Sequence, residues 1–322
     1  MKEGGSVAEA VRDTTGDPAG DRAGNRAGLA GLVEAAGADP ALSGVAASLG
    51  AASLTLSGPV GLQPFAIAAA ARAGRVVLAV TSGGREAEDL AAALRCLLPP
   101  DEVALYPGWE TLPHERLSPR PDTVGQRLAV LRRLNHPSPD DPGAGKISVV
   151  VAPVRAVLQP QVPGLGELVP VELHAGDGGR ELTDIVTQLV GAGYARTELV
   201  EKRGDFAVRG GILDVFPPTE QHPLRVEFWG DEVEEVRYFK VADQRSLEIA
   251  EHGLWAPPCR ELLLTDDVQE RARALLSDHP ELAELLDPIS RGEAVEGMEA
   301  LAPVLVDGGR LELRRSSQRR AG

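Results

Sequence analysis

Short apolar runs alternate with helical segments in the first half of this chain, and the alternation stops near Pro163. This alternation is typical of a parallel sheet that is covered by helices on both faces. We therefore predict an α/β unit over residues 28–162. Its predicted strands are residues 53–57, 75–80, 103–106 and 147–151, and its predicted helices are residues 63–73, 87–98 and 124–134.

The pattern after residue 163 is different, because one predicted helix at 182–190 is followed by strand-like stretches without helices between them. These stretches predict an inserted α+β unit over residues 163–250. Gly230-Asp231 separates two alternating runs and is predicted to be a hairpin turn. Residues 251–306 are predicted to return to the first unit. The remaining predicted elements are strands at 205–216, 224–229, 232–240 and 261–264 and helices at 268–276 and 281–286.

The two ends of the chain have few residues to bury. Residues 1–27 are rich in Gly, Asp, Arg and Ala and are predicted to be a disordered leader. Residues 307–322 are rich in Arg and Ser and are predicted to be an irregular basic tail. The longest apolar stretch, near residues 65–71, is much shorter than the roughly 20 residues that span a bilayer, so we expect no membrane contact.

Charge and cysteine content exclude several functional classes. The net charge of -15 argues against a surface that lies as a whole on DNA or an anionic membrane, because such binding depends on Lys and Arg. Cys96 and Cys259 are far apart and form no CxxC motif, so neither a disulfide framework nor a zinc site is predicted. We expect a cytoplasmic protein.

No catalytic residues are predicted, and the closest approach to a nucleotide-binding motif is a loop containing Gly58 and Gly61. This loop follows a predicted strand and precedes a helix, but it lacks the Lys and Ser or Thr of a phosphate-binding loop. Lys146 follows glycines too, yet it precedes a strand. We interpret the first loop as a tight turn and the second as a surface loop. The 6 histidines have no metal-ligand spacing, so no metal site is predicted.

The densest group of cationic and aromatic residues lies between residues 193 and 211. Arg196, Arg203 and Arg209 would emerge near one another if residues 202–204 formed a hairpin turn, with Phe206 beside them. Arginine and aromatic residues are enriched at binding hot spots, so this segment is the predicted protein-binding site. The alternative is an internal salt bridge from Arg209 to Asp214 or Glu227.

The same segment, with the stretches at 212–217 and 224–233, resembles the second domain of the excision-repair subunit UvrB. Together with residues 106–119 and 241–247, it is more similar to the N-terminal UvrB-like module of the transcription-repair coupling factor (Mfd) family, over about residues 40–305. The resemblance implies a degenerate P-loop-type parallel-sheet domain, interrupted by an inserted α+β domain that binds the excinuclease subunit UvrA.

The family pattern carries UvrA-contacting roles to Arg196 and Arg209 by position, with Arg203 and Phe206 as neighbouring candidates. One position departs from UvrB, since Ala207 stands where UvrB has the first Arg of that strand. The resemblance also implies that a later domain of the intact family protein masks this surface. A chain without that domain is expected to bind UvrA constitutively.

The resemblance further implies that the cofactors ATP and Mg belong to the motor of the full-length family, an ATP-dependent DNA translocase. RNA polymerase and DNA are expected to bind only through regions absent here. Of the UvrB nucleotide loop, only the turn glycines Gly58 and Gly61 remain, and they are not expected to bind phosphate. We expect a truncated or frame-shifted gene fragment. The alternative function is a nucleotide-dependent helicase fragment with residual ATPase or DNA-binding activity.

Overall fold

A computed structural model describes residues 29–112, 115–137 and 145–306, so the predicted leader and basic tail lie outside the described residues. The described helices are α1 (Ala30–Gly37), α2 (Pro40–Ala47), α3 (Gln63–Arg72), α4 (Gly84–Leu97), α5 (Pro121–Asn135), α6 (Val154–Leu158), α7 (Leu182–Gly191), α8 (Asp266–Asp278), α9 (Ala283–Ser290) and α10 (Ala302–Leu305). The described strands are β1 (Val77–Thr81), β2 (Val103–Leu105), β3 (Val149–Pro153), β4 (Val171–Leu173), β5 (Ala195–Arg196), β6 (Asp205–Arg209), β7 (Ile212–Val215), β8 (Leu224–Trp229), β9 (Glu232–Phe239), β10 (Ser246–Ile249) and β11 (Leu254–Ala256).

The first unit is a parallel three-stranded sheet in the order β1-β3-β2. The central strand β3 is buried along its whole length, which explains its unbroken run of valines. Helices α1, α3 and α4 pack on one face of the sheet, and α5 packs on the other. The predicted α/β unit, with helices on both faces, is confirmed.

Two predicted strands are wrong. Residues 53–57 form no strand, and Leu54 and Leu56 are 47% and 56% exposed. Their alternation suits a half-buried strand, but no described strand pairs with them, and a strand needs a neighbouring ladder. Residues 261–264 form no strand either, and no described strand pairs with them; the buried Glu261 and Leu262 contact side chains of other segments.

The second unit is a six-stranded sheet in the order β10-β9-β8-β7-β6-β5, antiparallel except for the parallel pair β5-β6. Helix α7 packs on one face of it, together with β4 and β11. The predicted hairpin turn at Gly230-Asp231 is confirmed, since it joins β8 to β9. This core includes Leu254, Ala256 and Cys259, so it continues past residue 250, the expected boundary.

The strands that carry the candidate site differ from the prediction in two ways. The predicted strand at 205–216 is a hairpin, in which Gly210 adopts φ +61° between β6 and β7. Glycine adopts this left-handed backbone without steric cost. Residues 202–204 do not form a hairpin turn between antiparallel strands, because β5 and β6 run parallel.

The chain enters and leaves the second unit through one two-stranded sheet. Strands β4 and β11 pair antiparallel, with Val171 opposite Ala256 and Leu173 opposite Leu254. After β11, helices α8, α9 and α10 form a separate apolar cluster. Within the described ranges, no helix has the length and apolar character needed to cross a membrane.

The two units also touch directly. Gly125 of α5 lies against Pro218, which follows β7, and a Cβ atom at Gly125 would come within 2.7 Å of the Pro218 Cβ. Gly204, before β6, similarly faces Pro121 at the start of α5, and a Cβ atom placed on Gly204 would lie 3.3 Å from the Pro121 Cγ. Helix α5 therefore packs against the loops at one end of the six-stranded sheet.

Candidate functional site

Arg196 lies on β5, the edge strand of the six-stranded sheet. Its side chain is exposed, and it stands opposite Phe206 in the parallel ladder. Beyond it, the backbone N–H of Thr197 donates to the Phe206 carbonyl at 2.8 Å. The backbone around Arg196 is therefore held by β6 while its guanidinium remains accessible.

Arg209 lies at the end of β6, is exposed, and donates a hydrogen bond from Nη2 to the carbonyl of Glu198. Glu198 follows Arg196 by two residues, so Arg209 reaches the same sheet edge. The alternative of a salt bridge from Arg209 is wrong for Asp214, which instead accepts two hydrogen bonds from Arg225 at 2.7 and 2.8 Å.

The two arginines approach this edge from different faces of the sheet. Phe206 packs in the core under α7, and register places Arg196 on that face, which we call the first face. Ala207 belongs to a small apolar cluster on the opposite, second face, together with Phe216. Because side chains alternate along a strand, Arg209 lies on the second face.

The two neighbouring candidates, Arg203 and Phe206, are placed differently. Phe206 is fully buried, so it can act only through packing and not through contact with a partner. Arg203 is partly buried, donates from Nε to the Glu220 carbonyl at 2.9 Å and stacks 5.1 Å from the Phe216 ring centroid. The structure therefore leaves Arg196 and Arg209 as the accessible arginines of the predicted set.

The loop between β5 and β6 is shaped by Asp205, which the sequence analysis did not single out. Its Oδ2 accepts the backbone N–H groups of Glu201 and Lys202 at 3.2 and 3.0 Å, and the residue is buried. An aspartate that accepts nearby backbone N–H groups is a recognisable turn former. This signal was present in the sequence Lys202-Arg-Gly-Asp205.

The second face is stiffened by the pair Asp214 and Arg225. Arg225 also stacks over the Phe239 ring, with its Cζ 4.8 Å from the centroid. The hydrogen bonds to Asp214 raise the pKa of Arg225 against the lowering effect of burial. A bidentate pair of this kind fixes geometry as well as charge, so the middle of the second face is a rigid support for Arg209.

The thiol of Cys259 belongs to the core on the first face of the sheet. Burial raises the pKa of Cys259 to about 12 and also raises the pKa of Tyr194, whose hydroxyl donates to the Pro257 carbonyl at 2.8 Å. Cys259 is 3.5 Å from a Cβ placed on Gly204. Both groups are neutral packing residues and supply no nucleophile.

The loop that contains Gly58 and Gly61 lies in the first unit. Gly58 precedes a short 3-10 helix at Val60–Leu62, and α3 begins directly afterwards. Gly58 and Gly61 are exposed, and Val60 between them is 83% exposed. The structure thus places these glycines before a helix, as predicted from the sequence, but the predicted strand before them at residues 53–57 is not formed.

A buried polar cluster around Arg127 and Glu261 could not be predicted from the sequence. Arg127 and Glu261 form an ion pair with 0% and 1% exposed side chains, and Trp109 donates from Nε1 to Glu261 Oε1 at 3.0 Å. Burial is the largest single effect and lowers the pKa of Arg127, but the charge of Glu261, the neighbouring Tyr106 and the hydrogen bond to Glu261 together outweigh it, so the pKa is raised. Arg127 also lies 4.4 Å from the Tyr106 ring centroid. This fully enclosed cluster has a structural role.

Comparison with known proteins agrees with this geometry. A family model described as UvrB interaction domain matches residues 171–257, the span from β4 through β11. Transcription-repair-coupling factors of Mycobacterium bovis and Mycobacterium tuberculosis are each 50% identical over 289 residues, which is 86% of this chain and 23% of each relative. The chain thus spans about a quarter of the length of these relatives.

More distant relatives show the same likeness. The transcription-repair-coupling factor of Bacillus subtilis is 31% identical over 218 residues, covering 66% of this chain and 17% of that protein. The UvrABC system protein B of Rhodopirellula baltica is 29% identical over 160 residues, covering 49% of this chain and 22% of that protein.

Proposed function

Because the chain belongs to the transcription-repair-coupling factor family and carries a UvrB interaction domain, we propose that it recruits UvrA in transcription-coupled nucleotide-excision repair. The contact surface is the β5 edge of the six-stranded sheet, where Arg196 and Arg209 engage carboxylates of UvrA. The observation that supports this most directly is the exposure of both guanidinium groups at one rigid edge.

The edge is organised before a partner arrives. The Asp205 turn fixes the loop, the ladder to β6 fixes Arg196, and the Glu198 carbonyl orients Arg209. Preorganisation lowers the entropic cost of binding. Each charge-assisted hydrogen bond from these arginines contributes roughly 1.5–3 kcal/mol where it is desolvated, and less at a wet rim.

The test is capture of purified UvrA by the immobilised chain and by its Arg196→Ala/Arg209→Ala variant. We expect the double variant to retain much less UvrA. A matched control is Arg245→Ala, because Arg245 is also exposed but lies before β10 at the opposite edge of the sheet. Equal retention by wild type and the double variant would remove the arginines from the interface.

The wider role follows from the relatives and is part of the same proposal. In this proposed role, the remainder of the full-length family protein supplies contacts to RNA polymerase and DNA and a motor that uses ATP and Mg. In this chain the first unit is a degenerate P-loop-type domain that supports the inserted UvrA-binding domain. Its place of action is the cytoplasm, and its own contribution is recruitment without catalysis.

The proposal also includes release from masking. Tested as an isolated 322-residue polypeptide, without the later domain that covers this surface in the intact family protein, the chain binds UvrA constitutively. Comparison of the UvrA affinity of this chain with that of a full-length relative tests this point. An affinity no higher than that of the full-length protein would contradict it.

A further inference from the structure

Trp229 is the most exposed aromatic residue in the described part of the chain, with 80% of its surface accessible. It is the last residue of β8 and stands beside the turn Gly230-Asp231. Indole is costly to leave in water, and exposed tryptophans are enriched at binding hot spots. An indole that is this exposed is a candidate contact for a partner protein.

Strand register places Trp229 on the second face, the face of Arg209. Phe228 packs against the core of the first face, opposite the buried Val233, so the next residue along the strand points the other way. Across the sheet, Arg209 stands opposite Ile212, and Ile212 stands opposite Glu227, two residues before Trp229. Arg209 and Trp229 thus occupy one face of three adjacent strands, at the end where their hairpins turn.

The exposure of Trp229 has a local cause. The backbone N–H of Phe228 donates to the Gly211 carbonyl at 2.8 Å, which brings the Gly210-Gly211 turn alongside the end of β8. Neither glycine has a side chain to cover the indole, and the space around a Cβ at Gly210 is empty within 4 Å. On its other side Trp229 pairs with the exposed Glu232. The sheet therefore presents the indole with an open flank.

The surroundings define the chemistry of a partner. Asp231 and Glu232 are exposed beside Trp229, and neither forms an ion pair within the described residues. A partner surface that covers Trp229 would need an apolar pocket for the indole and cationic groups at its rim. Towards β5 the same partner would meet Arg209 with a carboxylate.

We propose that Trp229 is the apolar anchor of the UvrA interface, inserted into a pocket of UvrA that has a cationic rim, while Arg209 fixes the register from the neighbouring strands. This inference rests on the proposed function and extends its surface from the β5 edge across the second face to the β8-β9 turn. The arginines then supply orientation, and the indole supplies most of the buried apolar area at the centre of the contact.

The test measures UvrA affinity of the whole chain by biolayer interferometry for wild type, Trp229→Ala, Trp229→Phe and Ile249→Ala. We expect Trp229→Ala to weaken binding by about tenfold or more, as for a buried hot-spot tryptophan, and Trp229→Phe to weaken it less. Ile249 is the matched control, because it is 53% exposed on β10 at the far edge of the sheet. Its variant should bind as wild type does.

A second measurement reads Trp229 directly. Hydroxyl-radical footprinting with mass spectrometry should show rapid oxidation of Trp229 in the free chain and protection in the UvrA complex, while the buried Trp109 is protected in both. If wild type binds UvrA but Trp229→Ala binds equally well and Trp229 stays oxidisable, this inference is overturned and the proposed function stands. If wild type captures no UvrA, both fail.

Discussion

Arg127 and Glu261, 134 positions apart in the sequence, form a buried bidentate contact in which Arg127 Nη2 donates to Glu261 Oε2 at 3.3 Å and Nε donates to Oε1. Arg127 belongs to α5, and Glu261 lies between β11 and α8. Trp109 and the Pro107 carbonyl complete the partners of the two charges. The pair fastens the C-terminal helices to the first unit.

Removal of one partner of this pair should be strongly destabilising. Glu261→Ala leaves the Arg127 charge buried and unpaired, which costs about 3–5 kcal/mol of unfolding free energy. Urea denaturation followed by circular dichroism measures the loss. The double variant Arg127→Met/Glu261→Leu should recover part of it, because no buried charge is left. Arg291→Ala removes two exposed ion pairs, with Asp287 and Glu293, and is the control with no expected change. A loss for Glu261→Ala no larger than that of Arg291→Ala would contradict the assignment.

Gly125→Ala should lower stability, although alanine is normally the better helix former. The added methyl group would meet the Pro218 Cβ at 2.7 Å, and overpacking of this kind costs about 1–3 kcal/mol. Gly191→Ala in α7 is the control, since no atom lies within 4 Å of its Cβ position. That substitution should be neutral or stabilise by up to about 1 kcal/mol. Thermal unfolding of both variants distinguishes them, and a shift of the same sign in both would count against the contact between α5 and Pro218.

The two cysteines should differ sharply in reactivity. Cys96 is exposed, whereas Cys259 is buried and its pKa is raised to about 12. Iodoacetamide at pH 8 should alkylate Cys96 in the native chain and reach Cys259 only after denaturation, because the thiolate is the nucleophile. Mass spectrometry of the two peptides gives the answer. Equal labelling under native conditions would show that the core beside Gly204 opens readily.

Stability should also fall at high pH through the same thiol. The folded state holds the Cys259 proton to about pH 12, above the ordinary thiol value of 9.0, so the folded state binds more protons in that window. Its contribution is complete below the unfolded pKa and is lost as the pH rises towards the folded one. The variant Cys259→Ala should lose less stability than wild type between these pH values. Parallel slopes of unfolding free energy against pH for the two proteins would contradict this account.

ATP with Mg should not stabilise the chain. The loop with Gly58 and Gly61 lacks the lysine and hydroxyl residues that hold phosphates and magnesium. Thermal shift with a non-hydrolysable ATP analogue measures this, because a ligand that binds the folded state raises its melting temperature. A clear rise would favour the alternative of a nucleotide-dependent helicase fragment.

Elements that depend on local periodicity could be predicted from the sequence. The helices at α3, α4, α5 and α7 and the β8-β9 turn follow from apolar spacing and glycine positions that act over a few residues. The strand at 53–57 was wrong, because its pattern is correct but its stability depends on a partner strand. The hairpin in 205–216 was missed because Gly210-Gly211 was interpreted as part of one strand.

The candidate site could be predicted from the sequence only in part. Arg196 and Arg209 are predicted by family position, and the structure finds both exposed. The burial of Phe206 depends on which face α7 covers, and the pairing of Arg127 with Glu261 depends on the folding of distant segments. A pattern of neighbouring residues cannot predict these two relationships, because each depends on segments that are far apart in the sequence.

The pairing of β4 with β11 has a consequence for the chain as a whole. Val171 and Ala256 are neighbours in space, so the domain between them leaves and rejoins its host at a single point. The entropic cost of closing a loop grows only with the logarithm of its length. For the first unit, therefore, the whole UvrB interaction domain has an entropic cost close to that of a long surface loop. A parallel sheet of this kind can hold a large inserted domain without a change in its own core.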